Sequence, residues 1–546
     1  MSESQQQKTA EYSHFSFEKP EADSQGLATD PNVAGQAPAR QFLHSLCSRK
    51  PIDRIRNETG AERNTLKRDL NALDLTSIGI ANVIGTGIFI ISGHAAAENS
   101  GPAIVISFLI AGFACIFVAM SYSEMACMIP VAGSAYTYAY ATLGEGIAWI
   151  IGWDLMIEYL FGVSTVAVGW SQYFAKFIES FGVHVDHRFT DPPLSWDEKL
   201  QQFNRTEGYI NIPGIVIVAT LTTILILGIR QSKVFINTIV IIKLTVIVLF
   251  ICTAAKWVNP SNFQPFVPPN EGGDWRHFGV SGIFAAASIV IFSYLGFDAV
   301  STAGQEARNP QRDIPIGICM SLFISTVLYI LTSLIMNGVV PYYKYKNDPA
   351  PIATATAATG MPWLTIVVSL GALAGITSTM TIGLLAQSRI FYAMAHDGLL
   401  PRVFARVHPR FRTPWVATLV SGLVSAALGA TLPIDLLGNM TSVGTLMAFI
   451  FVHIGIIVLR FTKPDLPRRF KIPGPKGTWI IFPLMGIVSS IILIALADRA
   501  TIYRVFAWMG LGLIVYGVYG YRHSRLRNPQ NDLRLRELES MAIPKL

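Results

Sequence analysis

Two long apolar stretches of this 546-residue chain are each interrupted at mid-length by glycine. The first, residues 73–97, contains the sequence IGTGI, and the second, residues 279–306, contains SYLGFD. Glycine lets the backbone leave the helical conformation, so nearby peptide groups lose their partners, which a membrane interior tolerates only around a cavity or a ligand. Glycine used only for close helix packing is the competing explanation. Two breaks at matching places in two halves favour a transporter.

The ends of a broken helix carry complementary partial charges, positive at an N-terminus and negative at a C-terminus. Amide groups that open the second half of a helix suit a carboxylate, and carbonyl groups that end a first half suit an ammonium group. A free α-amino acid carries both groups, whereas an organic cation could use the carbonyls alone. The predicted backbone site consists of Val83, Ile84, Gly85, Thr86, Gly87, Phe292, Ser293 and Gly296.

Three side chains beside the second break could add to this site. The rings of Tyr294 and Phe297 could lie over a bound ligand as a thin gate, or pack in the protein core. Asp298 stands where the helix resumes. We expect it to cap the new N-terminus by accepting hydrogen bonds from amides near Ser301, with direct binding of substrate as the alternative.

Ionisable residues also occur inside the apolar stretches. Lys243 lies near the centre of residues 232–256, roughly 15 Å from either end, which is too deep for its side chain to reach the membrane surface. A central lysine costs about 2.5–3.5 kcal/mol. We therefore expect Lys243 to exchange a proton during transport, to hold its helix to the broken-helix carbonyls, or to do both. For Glu124, Asp154 and Glu158, a structural hydrogen bond is favoured over a transport role.

The composition describes a membrane protein. Half of the residues (51%) are apolar and only 14% are charged, and the mean hydropathy is +0.44. Twelve apolar stretches are each long enough to cross roughly 30 Å of hydrocarbon. They are residues 73–97, 102–128, 146–175, 211–229, 232–256, 279–305, 314–340, 362–394, 414–431, 433–460, 477–497 and 501–521.

The order of these stretches predicts an all-α fold of twelve transmembrane helices. Five spans (about 73–256) and a further five (about 279–460) each begin with a glycine-broken span, and two peripheral spans follow (about 477–521). Because five is odd, the second set starts on the opposite face of the membrane, which gives two inverted five-helix repeats with discontinuous first and sixth spans. We predict one permease domain at 70–522, a largely disordered N-terminal tail at 1–69 and a C-terminal tail at 523–546.

The basic residues indicate orientation. If both tails are cytoplasmic, most lysines and arginines lie in cytoplasmic loops or beside the spans, including Arg49 and Lys50 before the first span and Arg402 and Arg406 after the eighth. This positive-inside bias explains the net charge of +7 and argues against a nucleic-acid partner. We expect both termini to be cytoplasmic, with the lipid bilayer as the surroundings.

The sequence gives no indication of an enzyme. It has no Gly-x-Ser-x-Gly or His-Glu-x-x-His motif and no paired intramembrane aspartates at a plausible spacing. The five cysteines lack metal-ligand spacing. We therefore expect no catalytic residue, no cofactor and no metal site.

Several motifs resemble those of a known family. The longest is FSYLGFDAVST at 292–302, which continues to NPQRDIP at 309–315; IGTGIF at 84–89, EYLF at 158–161 and DGLLP at 397–401 accompany it. On these motifs the chain resembles the amino acid, polyamine and organocation transporter superfamily, specifically the bacterial permeases close to the cationic amino acid transporters. The resemblance runs from about Leu70 to Arg522.

The resemblance implies alternating access around the first and sixth spans in a bacterial inner membrane. It also implies proton coupling, because Lys243 matches a lysine that stands where sodium binds in sodium-coupled relatives. The substrate side chain would point toward residues of the third, sixth and eighth spans. These residues are Val163, Thr165, Phe297, Thr377, Ser378 and Met380.

The chain departs from the family pattern at Gln305-Glu306, where a pair of acids is common, and at His396, where arginine is usual. These departures affect expected salt bridges at the cytoplasmic side. No buried acid clearly addresses a cationic side chain, so we favour small or apolar neutral amino acids, with cationic ones possible. Proton-coupled symport is the first hypothesis. The alternatives are an amino acid or polyamine exchanger and, as the least favoured, a receptor that binds amino acids without transporting them.

Overall fold

A computed structural model describes residues 46, 48–52, 54–55, 70–129, 133–197, 201–228, 233–270, 273–346, 348–411, 413–474 and 477–526. For residues 233–236 and 305 only the backbone is described. The predicted tails, 1–69 and 523–546, lie outside the described residues except for 46, 48–52, 54–55 and 523–526.

The described residues are mainly helical. In chain order the α-helices are α1 (Ala72–Val83), α2 (Ser92–Ala95), α3 (Ile104–Met128), α4 (Ser134–Thr142), α5 (Glu145–Met156), α6 (Gly162–Glu179), α7 (Ile212–Ile226), α8 (Lys233–Ala254), α9 (Gly279–Val290), α10 (Ala299–Thr302), α11 (Pro310–Val339), α12 (Pro351–Ala357), α13 (Pro362–His396), α14 (Trp415–Thr431), α15 (Ile434–Thr462), α16 (Ile481–Ala495), α17 (Arg499–Val515) and α18 (Tyr521–His523). The strands β1 (Leu194–Asp197) and β2 (Gln202–Arg205) form one antiparallel hairpin.

All twelve predicted apolar stretches are helical over most of their length. Nine helical stretches of the described residues are long and apolar enough to cross a membrane, and α1, α7 and α14 are shorter apolar helices. The fold is therefore that of a helical membrane protein, and the count of twelve crossings stays a prediction. The sequence predicted neither the hairpin nor the short helices α4 and α12.

Both predicted helix breaks are present. Helix α1 ends at Val83, and Ile84 takes an extended conformation (φ −79°, ψ 94°) before the chain becomes helical again at Gly87. In the second stretch, α9 continues as a 3₁₀ turn to Tyr294, and α10 starts only at Ala299. Between them Gly296 has φ +105°, a conformation that favours glycine.

Long helices surround the two broken ones. Helix α11 packs against α1 and α3, and α13 packs against α6, α8 and α1. Small residues allow the close approach: a side chain at Gly317 of α11 would lie 2.8 Å from Leu75 Cβ in α1. The broken segments are thus held on several sides by continuous helices, which fixes the position of the irregular backbone.

Candidate functional site

A cavity of about 50 Å³ lies where the two helix breaks meet. Its lining comes from both breaks and from α6, α13, α15 and the π-helical turn before α6. The lining residues are Asn82, Val83, Gly85, Thr86, Gly87, Glu158, Tyr159, Gly162, Val163, Val166, Phe292, Leu295, Gly296, Thr379, Gly383 and Thr441. Six of the predicted backbone-site residues are among them: Val83, Gly85, Thr86, Gly87, Phe292 and Gly296.

The two breaks touch each other directly. A Cβ atom at Gly87 would lie 2.5 Å from the Cα of Ser293, so the two backbones approach closely. The side-chain amide of Asn82 donates a hydrogen bond to the carbonyl of Gly296 at 3.2 Å. At Gly296 a side chain would collide with Asn82. Glycine is therefore required on both sides of the contact.

A tyrosine from α11 joins the two breaks. The Tyr329 hydroxyl lies 2.9 Å from the carbonyl oxygen of Val83 and 2.6 Å from that of Ser293, and it can donate its hydrogen to either. Tyr329 is fully buried. One hydroxyl thus lies against a carbonyl at the end of the first half of each broken helix. Sequence analysis missed this residue because a tyrosine inside an apolar stretch carries no signal of its partner.

We expect Tyr329→Phe to weaken substrate binding. The change leaves one buried carbonyl without its donor, a loss of about 1–3 kcal/mol that corresponds to roughly 5- to 100-fold weaker substrate binding. Isothermal titration of the purified variant measures the affinity. Tyr294→Phe is the matched control, because the Tyr294 hydroxyl donates only to Phe108, at 2.9 Å and away from the cavity. Equal affinity losses in both variants would contradict a specific role for Tyr329.

Lys243 is bonded to the end of α1. Its ammonium nitrogen lies 2.9 Å from the carbonyl oxygens of Ala81 and Ile84, and the residue is fully buried. No ion pair to Lys243 occurs among the described residues. The hydroxyl groups of Ser378 and Thr379 in α13 lie 3.2 Å from the Ala81 carbonyl oxygen, and that of Thr379 lies 3.3 Å from the Ile84 carbonyl oxygen; each hydroxyl can donate its one hydrogen to a single acceptor. The carbonyl end of the first half-helix is therefore filled by Lys243 and by hydroxyl groups.

Three buried polar atoms at the cavity or at the helix breaks have no partner among the described residues. They are the hydroxyl oxygens of Thr86 and Ser293 and the Oε1 atom of Glu158. All three side chains are at most 5% exposed. Unpaired buried polar groups are costly and uncommon, so a ligand that bonds to them would recover that cost.

Glu158 is a site residue that the sequence analysis assigned to structure. It lies in a π-helical turn, Ile157–Phe161, a distortion that often occurs at functional positions. Glu158 is one of the residues that line the cavity. By contrast, Glu124 accepts hydrogen bonds from Arg460 and from the amide of Ile472, as expected of a structural acid. Neither carboxylate oxygen of Asp154 has a partner among the described residues.

The remaining predicted residues lie near the breaks without lining the cavity. The Thr165 hydroxyl donates to the Phe161 carbonyl of its own helix at 2.8 Å. Phe297 packs against Tyr122 and Phe449, with ring centroids 6.3 and 5.8 Å away. Ile84 contributes its carbonyl to Lys243. Of the three aromatic residues at the second break, Phe292 lines the cavity, whereas Tyr294 and Phe297 pack in the protein core.

The expected side-chain cap by Asp298 is absent. Asp298 already has helical backbone angles (φ −67°, ψ −24°), so its carboxylate does not accept from the first amides of α10. The Ser301 amide bonds instead to the Asp298 carbonyl at 2.8 Å. The Asp298 carboxylate accepts a hydrogen bond from the Tyr159 hydroxyl at 3.1 Å.

Charged contacts close the end of the bundle where α13 ends. Lys50 lies 2.7 Å from Asp397, which also accepts from the Tyr136 hydroxyl at 2.7 Å. Burial raises the pKa of Asp397, but Lys50 outweighs it and the pKa lies below its ordinary value. Glu306 pairs with Arg389 at 3.5 Å.

Comparison with known proteins identifies the family. Residues 70–518 match the family model described as "Amino acid permease". The chain belongs to the amino acid permease family. As a permease it is a transporter and not an enzyme, and the match covers the whole predicted domain apart from its last four residues.

Several curated relatives resemble this permease along most of its length. The branched-chain amino acid permease BcaP of Bacillus subtilis is 42% identical over 482 residues, which are 88% of this chain and 99% of the relative. The methylthioribose transporter of the same organism is 39% identical over 487 residues, 89% of this chain and 100% of the relative. A vacuolar cationic amino acid transporter 4 of Arabidopsis thaliana is 36% identical over 436 residues, which are 78% of this chain and 68% of the relative.

Proposed function

We propose that this permease carries free neutral amino acids with branched or other apolar side chains, together with protons, by alternating access. The observation that carries the proposal is the cavity at the touching helix breaks. A zwitterion a few ångströms across suits such a place, because the ends of four half-helices supply both signs of partial charge.

The polar groups of the cavity divide between the two ends of an amino acid. The unwound backbone at Gly85–Gly87 offers amides to a carboxylate, with the unpartnered Thr86 hydroxyl beside it. Glu158 lines the same cavity, and a carboxylate suits an ammonium group. Lys243 already donates to the carbonyls of Ala81 and Ile84. Glu158 is therefore the stronger candidate for binding the ammonium group of the substrate.

The rest of the lining favours an apolar side chain. Val163, Val166, Phe292 and Leu295 surround the cavity, and the acid within it is Glu158. If Glu158 binds the α-ammonium group, no acid is left in the lining for a cationic side chain. The branched-chain permease of Bacillus subtilis, similar over nearly its whole length, supports the same substrate class.

Lys243 is the proposed proton carrier. It is buried without a carboxylate partner among the described residues and donates to two backbone carbonyls, which accept more strongly from the charged ammonium group than from the neutral amine. A change in its charge therefore alters the attraction between α8 and the end of α1 without breaking an ion pair. This links protonation to the position of the first half-helix.

The proposed topology has twelve spans in two inverted repeats, with both termini cytoplasmic in a bacterial inner membrane. It would place the contact of Lys50 with Asp397 at the cytoplasmic end and the end of α2 at the outer face. The distribution of basic residues supports this orientation.

Uptake into proteoliposomes tests the proposal. We expect radiolabelled leucine to accumulate when the outside is acidic, and to accumulate several-fold less without a pH gradient. Equal uptake in both conditions, with strong stimulation by leucine inside the vesicles, would favour exchange over symport. No uptake of any amino acid in either condition would contradict amino acid transport.

A second substrate class is a neutral thio-sugar, favoured by the similarity to the methylthioribose transporter. Methylthioribose has neither an ammonium nor a carboxylate group, so it would leave the amides at Gly85–Gly87 and the Glu158 carboxylate without ionic partners. We expect leucine, isoleucine and valine to raise the melting temperature of the purified protein, because a ligand of the folded state stabilises it by about 2.7 kcal/mol at 100 times its Kd. A larger shift with methylthioribose would reverse the assignment.

A further inference from the structure

We propose that His94 is a proton-controlled latch that holds the outer half of the first span closed. His94 lies in α2, directly after the π-helical turn that follows the first break. Its two ring nitrogens reach two other parts of the chain: Nδ1 lies 3.2 Å from Asp435 at the start of α15, and Nε2 lies 2.9 Å from the backbone oxygen of Asp348. The latch rests on the proposed function and topology.

The chemistry of the two partners fixes the protonation state that the latch needs. A carboxylate oxygen and a backbone carbonyl oxygen are both acceptors, so both ring nitrogens must donate. Only the imidazolium form has a hydrogen on each nitrogen. In the neutral form one nitrogen turns a lone pair toward an oxygen, and one of the two contacts is lost.

In the part of the chain that the structure describes, the neighbouring charged groups have other partners or are exposed. Glu98, on the same span, pairs with Lys346 at 3.8 Å. The side chain of Asp348 accepts from the amide of Ala350 at 3.0 Å, and the Tyr345 hydroxyl donates to the Met336 carbonyl. Helix α9, which packs against α2, has no ionisable side chain, and Lys344 in the adjoining 3₁₀ turn is exposed.

The location makes the contact a gate. Tyr173 of α6 donates to the carbonyl of Phe89 at 2.9 Å, so the segment after the first break is held at both Phe89 and His94. The His94 side chain is 13% exposed and that of Asp435 is 61% exposed, so protons from the outer solution reach the pair. The closed position is therefore favoured while His94 is protonated, and it weakens as the outer pH rises.

Counterflow of labelled leucine, with the inside fixed at pH 7 and the outside stepped from pH 6 to 9, tests the latch. In His94→Gln the amide can donate to the Asp348 carbonyl at any pH but carries no charge. We expect the ratio of variant to wild-type rate to be about 5 at pH 6, as for loss of roughly 1 kcal/mol, and to fall toward 1 as the outer pH is raised to 9. Asp435→Asn should behave alike. His184→Gln, at an exposed histidine in the loop after α6, should give a ratio of 1 throughout.

Hydrogen exchange of backbone amides tests the same latch in the purified protein, without a transport assay. After correction for the intrinsic pH effect, amides of residues 92–100 in the purified wild-type protein should lose protection between pH 6 and 9, and those of His94→Gln should not change. A constant rate ratio, or unchanged protection in the wild type, would overturn the latch. If the protein showed no leucine counterflow but its protection still depended on pH, the proposed function would be contradicted and the latch would be supported.

Discussion

Lys243→Met is expected to abolish stimulation of leucine uptake by an inward proton gradient. Methionine has a flexible unbranched chain that ends one atom short of the lysine nitrogen, and it has no titratable group and no donor. The variant should fold, because the Thr379 hydroxyl lies 3.2 and 3.3 Å from the carbonyl oxygens of Ala81 and Ile84 and can donate to either, and the Ser378 hydroxyl lies 3.2 Å from that of Ala81. Loss of charged hydrogen bonds worth about 1.5–3 kcal/mol should also weaken leucine binding roughly 10- to 100-fold.

The matched control is Lys256→Met, at an exposed lysine near the end of the same span. It changes the net charge identically and should keep the wild-type response to the gradient. Uptake is measured in proteoliposomes at equal protein content, with and without the gradient. A Lys243→Met protein that still accumulates leucine in response to external acid would contradict proton coupling through this lysine.

Gly87→Ala is expected to destroy the binding site while leaving the helical bundle intact. The added methyl group would lie 2.5 Å from Ser293 Cα, a backbone atom that cannot rotate away, so the two breaks must move apart. Overpacking of this kind costs about 1–3 kcal/mol. Because the whole displacement falls on the groups that line the cavity, we expect leucine affinity to fall at least about 10-fold.

Gly162→Ala provides the control for this substitution. Gly162 also lines the cavity, but its added methyl group would meet Thr441 Cγ2 at an ordinary 3.5 Å. Titration calorimetry compares the two affinities, and circular dichroism checks that both variants are helical. If Gly87→Ala bound leucine as tightly as the wild type, close contact between the breaks would not be needed for binding.

The helices and their breaks were predictable from the sequence because hydropathy and glycine act locally. Apolar stretches of about 20 residues report the helices directly. Glycine at Gly85, Gly87 and Gly296 marked the places where the helical conformation stops. The hairpin of β1 and β2 was not predicted, since its residues lie in a polar loop without a strong turn signal.

The contacts between distant segments were not predictable in this way. Tyr329 bonds to Val83, which is 246 residues away, and nothing in its local sequence indicates that partner. The only local signal at Glu158 was the free-energy cost of placing an acid in an apolar span. The sequence analysis explained that cost by a structural hydrogen bond. The predicted capping role of Asp298 was wrong because a capping residue usually has extended backbone angles, and Asp298 is already helical.

Binding of leucine analogues tests the central claim most directly, namely that the cavity where the two breaks meet holds both charged groups of an amino acid, the carboxylate at Gly85–Gly87 and the ammonium group at Glu158. Leucine, leucinamide and 4-methylpentanoate share a side chain, but leucinamide lacks the carboxylate and 4-methylpentanoate lacks the ammonium group. Titration calorimetry on the purified protein should find leucine binding and each analogue weakened by about 10- to 100-fold, the loss of one charged hydrogen-bonded contact. If either analogue bound as tightly as leucine, the account of a zwitterion held between the breaks would be contradicted.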